Sequence, residues 1–140
     1  EQEYPLRVEE YGFVEDSGGA GQFRGGMGLR RVLTPVDHEC VFNGAGERFR
    51  YQPWGLFGGE AGGSGRFMLE DADGTRRLAD KPNEVEVKLG TKITVETPGA
   101  GGYGKPSDRA PEAVERDKNS GKFSTDYINK NYSTNGTGGQ

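Results

Sequence analysis

The stretch TPGAGGYGKP, residues 97–106, contains glycine spacings that are typical of nucleotide-binding loops. Gly99, Gly101 and Gly104 fit the dinucleotide-binding pattern, and the run that ends at Lys105 fits most of a phosphate-binding P-loop. A P-loop needs a serine or threonine after the lysine, whereas here a proline follows, which offers neither a hydroxyl group nor an N–H. A dinucleotide site needs a helix at the last glycine and then another strand, whereas this stretch leads into a segment broken by prolines. We therefore predict no nucleotide site here and expect the glycines to serve close packing of backbones.

The only histidine and the only cysteine of the chain, His38 and Cys40, are two residues apart. On a strand they would share one face, with Asp37 and Glu39 on the other. Two ligands fall short of the three or four that a zinc site needs, so a metal here would need groups from another chain. A Cys40 nucleophile with His38 as its base would also lack a third group to orient the base. We predict a histidine at a strand edge beside a half-buried cysteine.

The remaining charged motifs do not make a complete active site. The acidic run at residues 70–73 lacks the twelve-residue pattern of a calcium loop, and a hairpin turn accounts for it. Arg24 could meet an anion, but a salt bridge or a contact with a backbone carbonyl is the simpler interpretation. No catalytic, cofactor-binding or metal-binding residue is assigned to this chain.

Three glycine-rich tracts recur along the chain, and we call them tract one (Ser17–Gly28), tract two (Gly55–Gly65) and tract three (Gly99–Gly104). All three contain glycines spaced three apart, which matches a polyproline II helix with three residues per turn. Flexible linkers usually carry serine and glutamine, whereas these tracts carry Phe, Leu, Met and Tyr side chains. We predict ordered tracts in polyproline II conformation that pack closely on one another.

Outside the tracts, apolar residues alternate with a period of two, which predicts strands at residues 6–14, 28–36, 40–42, 48–54 and 84–97. Residues 67–78 are typical of a hairpin that turns at Asp73-Gly74. A helix is predicted from Pro111 to a stop at Gly121, followed by a second short helix in STDYINKNY. These elements divide the chain into a β-rich domain with glycine-rich tracts, residues 1–106, and a helical tail, residues 107–140.

The composition limits what this chain does alone. The hydrophobic share is 31%, and 25 of the 140 residues are glycine, which buries no side chain and loses extra backbone entropy on folding. We therefore expect a partner to complete the apolar face. The net charge is −4 and the 18 basic residues are scattered, so no nucleic-acid partner is expected. No apolar stretch approaches the roughly 20 residues of a membrane span, and the amino terminus does not resemble a signal peptide, so a cytoplasmic location without membrane contact is expected.

Three motifs in this order, DSGGAGQFRGGMGLRR, PWGLFGGEAGGSG and TPGAGGYGKPSDRAPEAVERD, resemble the carboxy-terminal part of hydantoinase B-type proteins. That family includes the related large subunits of acetone and acetophenone carboxylases, and the resemblance covers residues 6–124. Family members are several times longer and carry their metal-binding region before this segment. The chain resembles that terminal segment made as a separate small subunit, an arrangement most similar to acetophenone carboxylase.

The resemblance implies an ATP-dependent, biotin-independent enzyme that either carboxylates a ketone or opens a cyclic amide. It implies a mainly β fold of barrel-like β-sheets with glycine-rich polyproline II segments and a short C-terminal helical tail. ATP and a divalent metal are expected on partner subunits and no cofactor in this chain. No catalytic or metal residue of the family maps onto a position here.

The leading expectation is a small structural subunit of an acetophenone carboxylase-type ketone carboxylase, which completes a larger subunit in a hetero-oligomer. The alternatives are a subunit of an ATP-dependent hydantoinase or lactamase, and a free-standing glycine-rich binding module. Five apolar side chains are expected to pack either against the larger subunit or within the core, and they are Trp54, Leu56, Phe57, Phe67 and Tyr103.

Overall fold

The computed structural model describes residues 3–132, so the end of the predicted tail, residues 133–140, lies outside the described part of the chain. The described residues form seven strands and two helices in a mainly β fold. The strands are β1 (Leu6–Phe13), β2 (Leu29–Pro35), β3 (Cys40–Phe42), β4 (Arg66–Asp71), β5 (Gly74–Arg77), β6 (Val85–Val87) and β7 (Lys92–Glu96). The helices are α1 (Pro111–Asn119) and α2 (Thr125–Tyr132), preceded by a 3-10 turn at Pro106–Asp108.

Five strands form an antiparallel sheet in the order β1-β2-β7-β4-β5, and β3 pairs with β6 in a separate two-stranded ribbon. Within the described residues, β1 and β5 are edges and do not pair with each other. The expectation of barrel-like sheets is therefore wrong. Closing a barrel requires the first and last strands to meet with a fixed stagger, and an alternating pattern in the sequence does not specify that.

The core lies between β4 and β7 of the large sheet and the β3–β6 ribbon. Leu69, Val87 and Ile93 are its most buried members, and Phe67 extends it towards tract two. Phe49 also lies here, with its ring centroid 4.8 Å from that of Phe67. This core covers one half of the large sheet, because the ribbon has only two short strands, while Ala20, Phe123 and Ile128 are buried in tract one and the helical tail.

Most of the strand predictions are confirmed, and the exceptions have local causes. Residues 48–54 do not form a strand, because Phe49 turns inward to the core and Arg48 has a φ of 59°, which no strand residue adopts. Residues 84–97 form two strands, β6 and β7, which are separated by a turn at Gly90. The β4–β5 hairpin turns at residues 72–73, one position earlier than predicted, and the Asp73 N–H donates to the Asp71 carboxylate there.

The second face of the large sheet carries a buried carboxylate. Glu96 on the central strand β7 is only 1% exposed and accepts hydrogen bonds from Arg30 on β2 and Arg66 on β4. Burial by itself raises the pKa of Glu96, but the hydrogen bonds and charges of Arg66 and Arg30 outweigh it, so the pKa lies below its usual value. The two ion pairs of Glu96 join three neighbouring strands, β2, β7 and β4.

Both predicted helices form, and they pack onto tract one. Asp117 of α1 is buried and binds Arg24 at 2.9 Å and Arg109 at 2.7 Å. Arg24 also donates to the carbonyl of Gly25, so both interpretations offered for this arginine are confirmed. Tyr127 of α2 donates its hydroxyl hydrogen to the Gly18 carbonyl. The helical tail therefore holds tract one in place by side chains.

Neither α1 nor α2, with nine and eight residues, has the length and apolar character that a membrane crossing requires, and this holds for the whole described range.

Candidate interaction surface

The three glycine tracts lie so close together that side chains have no room between them. A Cβ atom added to Gly99 would lie less than 3.0 Å from the backbone of Ser17, and one added to Gly102 would clash in the same way with Ala20. Real Cβ atoms essentially never approach so closely. The prediction of ordered tracts with closely packed backbones is thus confirmed, while their polyproline II conformation stays a prediction.

Backbone hydrogen bonds hold tract three between the other two tracts. The N–H groups of Ala100 and Tyr103 donate to carbonyls of tract one, and those of Gly99, Gly102 and Gly104 donate to carbonyls of tract two. A phosphate-binding loop needs such N–H groups free for the ligand. Because these five are used within the protein, they are not available to a phosphate group, and the absence of a nucleotide site stays a prediction.

Tracts one and two each run out from the sheet and return. In tract one the Gly28 N–H donates to the Ser17 hydroxyl oxygen, which ties the two ends of the tract together, and Phe23 lies near the far end. In tract two the Gly59 N–H donates to the Leu56 carbonyl and closes a tight turn. Each tract therefore presents an apolar residue at its tip.

The tips converge on one exposed cluster, which we call the tip cluster and define as Phe23, Leu56, Phe57 and Tyr103. Tyr103 forms β-bridges with Phe23 and with Leu56. Its ring centroid lies 6.3 Å from that of Phe23 and 5.1 Å from that of Phe57. The exposed fractions are 63% for Phe23, 51% for Leu56, 75% for Phe57 and 48% for Tyr103. Adjacent apolar side chains at such exposure are typical of a protein–protein interface.

Phe57 occupies a strained position at the tip of tract two. Its φ is 50° and that of Gly58 is 90°, so both central residues of the Leu56–Gly59 turn are left-handed, as in a type I′ turn. Glycine or asparagine is favoured there, and a bulky residue in this region is uncommon and costs energy. A strained phenylalanine that is 75% exposed buries little of its surface within the described residues, although its ring contacts that of Tyr103, which points to a further contact outside them.

The five candidate packing residues divide into two groups. Phe67 is 6% exposed and belongs to the core, whereas Trp54, Leu56, Phe57 and Tyr103 are exposed. Trp54 lies beside the tip cluster in sequence and carries the Arg48 guanidinium 4.6 Å above its ring. Phe23 was not among the candidates, although its place in tract one corresponds to that of Phe57 in tract two.

His38 and Cys40 do not form a site. His38 precedes β3 rather than lying on it, and its Nδ1 is 2.9 Å from the Val36 carbonyl oxygen, so the shared strand face is not formed. Cys40 is a half-buried free thiol, as expected. Among residues 3–132, no three His, Cys, Asp or Glu side chains lie close enough together to hold a metal ion.

Comparison with known proteins identifies relatives of the chain. The Hydantoinase B/oxoprolinase family model matches residues 1–106. The beta subunit of caprolactamase from Pseudomonas jessenii is 32% identical over 136 residues, which cover 94% of this chain and 23% of the relative. One subunit of a putative D-/L-hydantoinase from Pseudomonas sp. (strain NS671) is 33% identical over 121 residues, which cover 84% of this chain and 20% of the relative. The chain thus spans about a fifth to a quarter of the length of these relatives.

Two solved structures share the fold. The ATP-dependent caprolactamase from Pseudomonas jessenii superposes with a TM-score of 0.75 at 30% identity, over 99% of this chain and 25% of that chain. Nucleotide-free acetone carboxylase superposes with a TM-score of 0.70 at 21% identity, over 91% of this chain and 21% of that chain. The second similarity concerns the fold alone.

Proposed function

Because the chain belongs to the hydantoinase B/oxoprolinase family, we propose that it is a non-catalytic, structural part of a multi-subunit, ATP-dependent enzyme. In this proposal it completes the fold of a larger subunit, and ATP and a divalent metal are held by other parts of the assembly. The tip cluster is the observation that carries the proposal. Its four exposed apolar side chains include a strained phenylalanine, and the glycine bundle behind them is rigidly hydrogen-bonded.

We place the hydrolysis of a cyclic amide first among the reactions of the assembly. The sequence relatives and the family description name caprolactam, hydantoin and oxoproline, which are all cyclic amides. The expected arrangement of the chain as a separate small subunit favours a ketone carboxylase of the acetophenone type. That reaction is our second candidate. A free-standing glycine-rich binding module would bind through a regular surface of small residues. It fits less well, because the tip cluster presents large apolar side chains.

The test starts from the native assembly. The tagged chain is purified from its source, and the co-purifying subunits are identified by mass spectrometry and assayed for ATP-dependent hydrolysis of lactams and hydantoins, and for carboxylation of ketones. We expect a larger subunit of the hydantoinase B type and cyclic-amide hydrolysis. A chain that purifies alone as a stable monomer would overturn the structural role, and carboxylation of a ketone would favour the second candidate.

Substitution of the tip cluster tests the contact itself. The double variant Phe23→Ser, Phe57→Ser should bind the larger subunit at least about tenfold more weakly, because exposed aromatic anchors dominate such interfaces. Tyr51→Ser is a matched control, since Tyr51 is exposed to the same 75% as Phe57 and lies outside the tip cluster. Affinity is measured by surface plasmon resonance with the purified larger subunit. Equal affinities of the double variant and the control would contradict the proposal.

A further inference from the structure

A second apolar surface lies on the large sheet, separate from the tip cluster. The register places Phe67, Val95, Arg31 and Tyr11 in one row across β4, β7, β2 and β1. Paired residues of antiparallel strands share a face, so this row lies on the face that forms the core. Phe67 is 6% exposed at one end of the row and Tyr11 is 60% exposed at the other. The core face therefore continues onto β1 and β2 without cover from the described residues.

The next paired residues of these two strands extend the same surface. Phe13 on β1 pairs with Leu29 on β2, and their exposed fractions are 55% and 37%. We define the β1–β2 face as Tyr11, Phe13, Leu29 and Arg31. Within the described residues, the core cluster joins the β3–β6 ribbon to β4 and β7 and has no member on β1 or β2, so the ribbon covers one half of the sheet.

Two cations lie on this surface without an ionic partner. The Arg31 guanidinium carbon is 5.0 Å from the centroid of the Tyr11 ring, and the Lys122 ammonium group is 5.2 Å from that of the Phe13 ring. Among residues 3–132, no carboxylate lies within 4.0 Å of either cation. Arg30, on the opposite face of the same strand, has both Glu10 and Glu96. Any layer that covered the rings would also desolvate the two cations, which is costly unless carboxylates come with it.

We propose that the β1–β2 face is a second docking surface, occupied by an apolar segment of the larger subunit that brings carboxylates to Arg31 and Lys122. The inference rests on the proposed function, because the occupant belongs to the same larger subunit. Tract one leaves β1 after Phe13, reaches the tip cluster at Phe23 and returns to β2 at Leu29, so the β1–β2 face lies at the base of this tract and the tip cluster at its tip. The larger subunit therefore holds the glycine bundle at its base and at its tip.

Hydroxyl-radical footprinting of the native complex tests whether the face is covered. The oxidation rate of Tyr11 in the complex is compared with its rate in the urea-unfolded chain, and the same ratio is measured for Phe57. We expect both side chains to be protected several-fold. Protection of Phe57 without protection of Tyr11 would overturn this inference and leave the proposed function intact. If Phe57 is also unprotected, both proposals fail.

The identity of the occupant is tested by cross-linking in the same complex. A photo-reactive phenylalanine analogue at the position of Tyr11 should form its cross-link to the larger subunit, and the linked peptide should contain Asp or Glu residues. A cross-link to a second copy of this chain, or to a peptide without carboxylates, would overturn the proposal.

The charge complementarity is tested with Arg31→Glu, which should weaken binding to the purified larger subunit about tenfold because it places a carboxylate opposite carboxylates. Arg31→Lys keeps the positive charge and should retain most of the affinity. If the arginine had a purely structural role, the circular dichroism spectrum of Arg31→Glu would show a loss of folding. Arg116→Glu is the control, because Arg116 is an exposed cation on α1. An affinity of Arg31→Glu equal to that of the control would contradict the assigned partner chemistry.

Discussion

At the scale of a single residue, the strained left-handed backbone of Phe57 indicates a binding role. The variant Phe57→Asn should relieve the left-handed strain and raise the free energy of unfolding by up to about 1 kcal/mol, since asparagine tolerates this conformation. The same variant should weaken binding to the larger subunit. Urea unfolding and surface plasmon resonance measure the two effects.

Phe23→Asn serves as the matched control for this prediction, because Phe23 belongs to the tip cluster and has no left-handed backbone. It should weaken binding without any gain in stability. A loss of stability in Phe57→Asn as large as that in Phe23→Asn would show that the turn carries no strain.

Among the charged residues of the sheet, Glu96 contributes most to holding the strands together. Glu96→Gln should lower the free energy of unfolding by about 2–3 kcal/mol, because two arginines lose their common carboxylate. This loss is at or below the lower end of the about 3–5 kcal/mol typical of a broken buried pair, since Arg30 and Arg66 keep 34% and 43% of their side-chain surface in water. Glu70→Gln, which removes the exposed pair with Lys92, should cost less than about 1 kcal/mol. Equal losses in the two variants would contradict this account.

The pH dependence of stability follows from the same carboxylate. The folded pKa of Glu96 is lower than its unfolded value of about 4.3, so the stabilisation is complete above that pH and is lost as the pH falls through the folded pKa. Urea midpoints measured between pH 7 and pH 3 should therefore fall more steeply for the wild-type chain than for Glu96→Gln. Parallel curves would show that Glu96 has the same pKa in both states.

At the scale of elements, the glycine tracts make a paired prediction. Gly102→Ala should lower the free energy of unfolding by about 3 kcal/mol or more, because the added methyl group meets backbone rather than a flexible side chain. Gly26→Ala should be neutral or slightly stabilising, since no atom lies within 4 Å of the added group. Thermal unfolding of the two variants distinguishes them. Similar stabilities would show that the tracts separate easily.

The elements also show where the sequence was informative. Alternating residues predicted β1, β2 and β3, and Pro111 with Gly121 marked the ends of α1, because these signals act over a few neighbouring residues. The inward turn of Phe49 depends on the ring of Phe67, which is distant in sequence. The openness of the sheet depends on which strands meet, and the exposure of Tyr11 depends on the extent of the ribbon. No local pattern contains such information.

The interaction surface was predicted only in part, because it also depends on contacts between residues that are distant in sequence. Tract periodicity indicated close packing of backbones, and composition indicated that Trp54, Leu56, Phe57 and Tyr103 would pack somewhere. The separation of Phe67 from these four residues required the topology, because all five are large apolar residues within two positions of a glycine. Phe23 joins the cluster only because Tyr103 bridges it and Leu56 together.

For the whole molecule, the balance between buried and exposed apolar side chains predicts how the chain behaves alone. Among residues 3–132, eight hydrophobic residues are buried, whereas thirteen large ones are exposed. The chain alone should therefore unfold over a broad temperature range and aggregate as it unfolds, because little apolar burial offsets the entropy of ordering many glycines. Scanning calorimetry and light scattering measure this. A sharp, reversible transition of a monomer would contradict it.

The central place of tract three has a consequence for the order of events during synthesis. Tracts one and two leave the ribosome first and can join directly, because the N–H groups of Glu60 and Gly63 donate to the carbonyls of Ala20 and Ser17. The five N–H groups of tract three that bond to both tracts belong to a segment translated later, so their acceptor carbonyls stay hydrated until residue 104 has emerged. A ribosome stalled before residue 99 would therefore present a nascent chain whose two glycine threads are held by few backbone hydrogen bonds and are open to proteases and chaperones, and the last few codons of tract three would complete the bundle.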